Sequence, residues 1–311
     1  MNILSQKWTL LLFFIVPHFF ASGVPDSEIK IHVAVNGSDL NPGTVDRPLA
    51  TLSGAFRVVK DLKKEQPSSS PVEIIVGDGA YFLPEPLVLD PGHSGTASAP
   101  LVVKAAEGAR PVIWGGKEIQ GFEKLSETLW RIKITETLEY GWSFDQLYVN
   151  GTRAVRAKSP NQGFYLLSSA SEVVLEKGEG RSPELAVQKL SVFPDGATWL
   201  SQFPAENSEQ ALITFYHKWN TTRKRVAGFD RDSSFLFTFG QGMKPWNLLD
   251  GKTRYVFENF RAALDTCGEW FLDRSGYLFY MPKPGVPIEN TRFAAPVEAA
   301  IMVDFLQTFS F

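Results

Sequence analysis

The chain has 311 residues, 31 basic and 34 acidic side chains, a formal net charge of −3 and a single cysteine. That balance excludes the basic footprint of a nucleic-acid-binding protein. One cysteine, Cys267, excludes an internal disulfide, so burial must hold the fold together. The four histidines have no paired spacing, and neither a metal site nor a cofactor is implied.

Residues 1–23 read as a secretory signal peptide. Lys7 supplies the positive start, Trp8 to Phe20 the apolar run, and Ala21, Ser22 and Gly23 the small residues of a cleavage site. The run is about a dozen residues, short of the roughly 20 that span a bilayer. An uncleaved anchor is the alternative. The expectation is a secreted or periplasmic protein starting near Val24, without membrane association after cleavage.

Ile29 to Val35 (IKIHVAV) alternates apolar and polar residues and predicts a strand. NGSDLNPGTVDRP follows and predicts a loop. Leu52, Ala55, Phe56, Val59 and Leu62 then recur at helical spacing, predicting a helix over Thr51 to Lys64. From Val72 to Gly121, short β-branched and aromatic segments are separated by Gly and Pro turns. Such strands suit a coil whose turns stack on one another, with the helix capping the open first turn. A β-sandwich is the alternative architecture.

From Ser159 to about Arg292 the texture changes. Polar stretches separate aromatic strands such as ALITFYHKW, SFLFTF and RYVFENF. This predicts a second, mostly β unit inserted into the coil, because the chain returns afterwards to an apolar strand, AAIMVDF. The boundaries are 24–158 for the first turns of the coil with their helix, 159–292 for the insert, and 293–311 for the start of a further turn. The final stretch is apolar to Phe311 with no closing cap, and reads as a truncation.

Several motifs together resemble secreted right-handed parallel β-helix proteins of the pectin-lyase-like kind, most closely glycoside hydrolase family 141. They are IHVAVNGSDLNPGTVDRPLATLSGAFRVV, the segment IIVGDGAYFL to PVIWGG, FDQLYVNGTRAVRAKSPN, FYHKWNTTRKRVAGFD and YVFENFRAALDTCGEWFLDRSGYLFYMPKPG. The resemblance implies an all-β chain: parallel β-helix turns with an N-terminal capping helix, plus an inserted, mostly β domain. It also implies hydrolysis of glycosidic bonds in complex polysaccharide by two carboxylates. It places that pair on turns after the insert, beyond Phe311.

Among the acids, Asp78, Asp145, Glu258, Glu269 and Asp273 sit between strands and aromatics. Asp145 and Glu269 are the first candidates for catalysis, whereas Asp78 and Asp273 also read as turn residues. Trp142, Trp219 and Trp246 are candidates for stacking on sugar rings, with core packing as the alternative. Arg153 and Arg156 are expected to hold the insert at its junction. The partner expected is a polysaccharide or oligosaccharide. A non-catalytic carbohydrate-binding module and a polysaccharide lyase remain the alternatives, although no acidic cluster of the calcium-binding kind is visible.

Overall fold

A computed structural model describes residues 28–65, 70–139, 144–192, 211–230, 233, 235–296 and 301–303. The expected signal peptide, Trp142 and the last eight residues lie outside them. The chain divides into two compact units, one drawn from 1–81, 88–112 and 303–311, the other from 82–87 and 113–302. The second therefore reaches beyond 159–292 on both sides. The described residues are mostly β, and none of their helices is long and apolar enough to cross a membrane.

In the first unit, strands Ile29–Val33, Val72–Val76 and Leu101–Ala105 pair in parallel without a slip, so that Ile31, Ile74 and Val103 lie in line. Alternation sends Ile31, Val33, Val72, Ile74, Val76, Leu101 and Val103 inward, and all are buried. Stacked β-branched side chains pack well on such a pleated face. The helix runs over Leu52–Glu65 and buries Leu52, Ala55, Phe56 and Val59.

The preceding polar loop is tied to the start of this helix. Asp39 Oδ1 accepts from the backbone N–H of Ala50 (3.0 Å) and Thr51 (2.9 Å), and Oδ2 accepts from the Thr51 hydroxyl (2.6 Å). Thr51 Oγ1 in turn accepts from Gly54 N at 2.9 Å, as an N-cap does. A Cβ on Gly54 would lie 2.5 Å from Asp39 Oδ1, so a larger residue there would push this carboxylate off its donors. At the other end, Lys63 Nζ donates to the His93 carbonyl (2.9 Å), and Lys60 pairs with Asp90.

The second unit departs from stacked turns. Glu123–Ser126 and Leu129–Lys133 form a tight antiparallel hairpin, joined by Tyr277–Tyr280 and then Glu269–Leu272. Gly116–Ile119 pairs antiparallel with Phe293–Pro296. Trp130, Leu147, Trp270, Tyr280 and Phe293 pack behind these strands.

Six further strands close on themselves. Going round, they are Tyr165–Glu176, Leu185–Val192, Phe235–Gly240, Thr221–Asp230, Leu212–Tyr216 and Arg254–Glu258, and the last pairs back to the first. Every seam is antiparallel. Leu167, Leu190, Ile213, Phe215, Val226, Leu236, Tyr255 and Phe257 fill this barrel.

The all-β expectation holds, but a parallel β-helix through residue 158 is corrected. Parallel pairing joins Ile29–Val33, Val72–Val76 and Leu101–Ala105, and Ala80–Phe82 with Val112–Trp114, where Val112 N donates to the Gly79 carbonyl and Leu83 N to the Trp114 carbonyl. Among the described residues from Gly116 to Pro296 the strands pair antiparallel, apart from the two-residue strand Val155–Arg156 with Glu269–Leu272. The reason lies in the connections. Two-residue turns such as Glu127-Thr128 can only return a chain antiparallel, while parallel neighbours need a long crossover. The dominant sheet is a closed barrel, which neither a β-helix nor a sandwich anticipates.

Candidate functional site

Two regions of the second unit gather polar and aromatic side chains. The first is a chain of charges. The Arg156 side chain is buried, with its guanidinium 4.9 Å over the Trp270 ring, which also stacks on Phe144. Its Nη2 donates to the Phe144 carbonyl (3.1 Å) and to Asp145 Oδ1 (2.7 Å). Its Nε and Nη1 have no hydrogen-bond partner among the described residues. Asp145 also accepts from Arg223 Nη1 at 3.1 Å, while Arg223 Nε lies 3.3 Å from Glu258 Oε2. Thr214 donates its hydroxyl to that same carboxylate.

Arg223 thus stands between two carboxylates, Asp145 at 67% and Glu258 at 13% side-chain exposure. Burial works against ionisation of Asp145, but Arg156 and Arg223 outweigh it and hold the carboxyl below the usual range. A general acid needs the opposite shift. The arrangement is an ion network. Arg223 has no local sequence signal beyond the alternation of TTRKRVAGF, and Thr214 none beyond its place in the apolar strand LITFY.

Glu269 is elsewhere. It is 3% exposed, and burial pushes its carboxyl up to about 7 against the bonds it accepts from the N–H groups of Thr266 (3.1 Å) and Asp265 (3.3 Å). Val155 pairs with Glu269 and Arg156 with Trp270. Successive strand residues point to opposite faces, so Glu269 faces away from the Arg156–Asp145 pair. The two acids singled out from the sequence are not brought together. Asp78 accepts from Arg110 N, 32 residues further on, and Asp273 accepts from Tyr277 N and the Ser275 hydroxyl as a turn residue. Arg153 is exposed and forms no ion pair among the described residues.

The second region is one end of the barrel. Pairing of Ala186 with Gly240 and of Tyr216 with both Thr221 and Arg254 brings three connections together there: 177–184, 217–220 and 241–253. Trp219 and Trp246 are 86% and 55% exposed, so neither is a core residue. The Asn247 amide donates to Asn220 Oδ1 (2.8 Å), tying the two tryptophan-bearing turns to each other. Lys218 lies 5.4 Å from the Trp219 ring centre, and Arg181 and Lys244 lie 5.8 and 5.7 Å from that of Trp246. A cleft of about 550 Å³ runs beside Trp246. The repeated Lys-Trp-Asn and Lys-Pro-Trp-Asn at 218–220 and 244–247 were the available signal for this end. Arg181, alone in a polar stretch, gave none.

No family model matches this chain, and no curated protein matches it. Among solved structures, its fold is similar to that of a protein described as a glycoside hydrolase, with a TM-score of 0.67 and 23% identity over 89% of this chain. The match covers 48% of that protein, so the chain spans about half its length. Slighter likenesses, too small to carry weight, are to a complex of XylC with xylose (TM-score 0.27, 19% identity, 68% of this chain and 31% of that one) and to a rhamnogalacturonan lyase (0.22, 24%, 27% and 21%).

Proposed function

We propose that the chain belongs to an exported protein of the glycoside hydrolase kind, resembling family 141, that acts on complex polysaccharide. In this reading the parallel ladder and its capping helix are the first turns of a β-helix. The barrel is the inserted domain, and its tryptophan-bearing end contacts the glycan. The observation that carries it is the pair of solvent-exposed tryptophans held at one barrel end by the Asn220–Asn247 bond. Burying a large aromatic is strongly favourable, so two left in water are a cost to the free protein that a stacked sugar ring would recover.

The hydrolytic pair is assigned to the half of such a protein with which this chain does not align. Asp145 is tied up by arginines, and Glu269 faces the other way. The test is binding of the full chain to soluble xylan and pectic polysaccharides by affinity electrophoresis and tryptophan fluorescence. Retention is expected, weakened about fivefold to tenfold by Trp219→Ala and by Trp246→Ala, each worth about one stacked ring. Absence of retention on every glycan, with the wild-type fold intact, would overturn the reading.

A further inference from the structure

The cleft beside Trp246 has a built floor and two fixed walls. Lys224 donates its ammonium to the Gln241 carbonyl, and Glu172 Oε2 accepts from Met243 N at 2.8 Å, anchoring the loop that carries Lys244 and Trp246. The opposite wall is the 177–184 turn. It is clamped to that loop by Gly242 N donating to the Pro183 carbonyl at 2.8 Å. A Cβ on Gly242 would lie 2.6 Å from the Pro183 ring, so the walls meet as closely as backbone and ring allow. Beneath them, Gln188 and Thr238 are fully buried and bonded to each other at 2.6 Å, and the Gln188 amide donates to Glu172.

Two cations line this cleft without an ion pair among the described residues. Arg181 and Lys244 are exposed, and neither has an acid within ion-pair distance among the described residues. Both approach the same indole at the outer limit of cation–π contact, leaving much of the ring open. Glu179 and Glu184 also line the cleft, but they pair with neither cation. They and Gln241 supply acceptors of the kind sugar hydroxyls need.

We infer that this cleft binds an acidic sugar residue, a uronate whose ring lies on Trp246 and whose carboxylate meets Arg181 and Lys244. A ring with apolar C–H groups on one face and one anionic substituent matches an indole flanked by two cations. The planar guanidinium fits a carboxylate better than a hydrated ammonium does. A neutral sugar would use the ring and the acceptors of Glu179, Glu184 and Gln241 but would bring no anion to either cation. The inference rests on the polysaccharide reading above and adds the charge of the residue bound.

The test measures affinity of the full chain, by titration calorimetry, for de-esterified oligogalacturonate, its methyl ester, a neutral xylo-oligosaccharide and a sulfated glycan. De-esterified oligogalacturonate is expected to bind about tenfold tighter than its methyl ester, as a charge-assisted contact would give. In Arg181→Gln/Lys244→Gln that preference should fall to about twofold or less, with neutral binding kept; Trp246→Ala should weaken both ligands. Arg181→Lys should recover only part of the preference. Both cations are exposed, so the fold tolerates these changes, and an unchanged melting curve checks it. Equal binding of acid and ester would overturn this inference while leaving the polysaccharide reading intact. Binding of the sulfated glycan as tight as oligogalacturonate would make the site a general polyanion contact and overturn the uronate assignment. Loss of all glycan binding would overturn both.

Discussion

The parallel ladder and the barrel use their interiors differently. In the ladder every inward position is aliphatic: Ile31, Val33, Val72, Ile74, Val76, Leu101 and Val103. In the barrel, Phe215, Tyr255 and Phe257 share the interior with Gln188, Thr238 and Lys224, all buried. A closed ring satisfies its own backbone groups, so part of its interior is free to hold a connected polar network under one end. Buried polar groups are tolerated when each finds a partner. In an open ladder, cohesion comes from line-of-register packing, and a polar inward residue would interrupt it. The end that carries exposed tryptophans belongs to the region that can support it from below.

Equal truncations should separate the two regions most. Phe215→Ala removes a fully buried ring and Ile74→Ala a fully buried aliphatic chain, at about 4 and about 3 kcal/mol respectively. Urea denaturation followed by near-ultraviolet circular dichroism should show Phe215→Ala shifting the aromatic signal to lower midpoint more than Ile74→Ala does. The reverse ranking would break the contrast.

A pH series extends the contrast to the second unit's other sheet, which holds Glu269, because the ladder's inward face has nothing to titrate. Burial raises the Glu269 carboxyl from 4.5 to about 7. Its protonated form is favoured in the fold, so the folded state binds the extra proton between those values and stability falls as pH rises through them. The loss is at most about 3 kcal/mol by the unit conversion of a shift this size. Melting temperature should therefore decline between pH 5 and 8 in wild type, and Glu269→Gln should flatten that slope. An unchanged slope in the variant would assign the decline to another group.

The smallest effect falls at the ladder's helix. Asp39→Ala removes three accepted hydrogen bonds and should cost about 1–2 kcal/mol, as loss of a helix cap does. Thermal melts are expected to show it without change in the barrel's tryptophan emission.

Local periodicity made the capping helix legible: Thr51 to Lys64 from the sequence against Leu52–Glu65 in the structure. The loop before it was legible as polar, but not as a scaffold. Asp39 bonds to donors 11 and 12 residues away, and composition carries no such distance. The barrel was hidden for the same reason in larger form. Arg254–Glu258 pairs with strands far back in the chain on both its edges, while each strand alone reads as an ordinary β segment. At the candidate site, Trp219 and Trp246 could be singled out by type, and the Asn220–Asn247 bond that joins their turns could not. Asp145 and Glu269 were equally plausible acids until register placed them on opposite faces.

Ring closure also sets an order of events on an emerging chain. Leu212–Tyr216 and Tyr165–Glu176 are made early, yet each keeps a bare edge until Arg254–Glu258 has been synthesised and delivered between them. An unpaired edge is a template for a neighbouring chain, and long-range pairing is slow to form. The barrel is therefore most exposed to misassembly in the interval before residue 258 is free of the ribosome. A pause or premature stop in that interval would yield an adhesive open sheet, whereas one just after it would release a sealed ring.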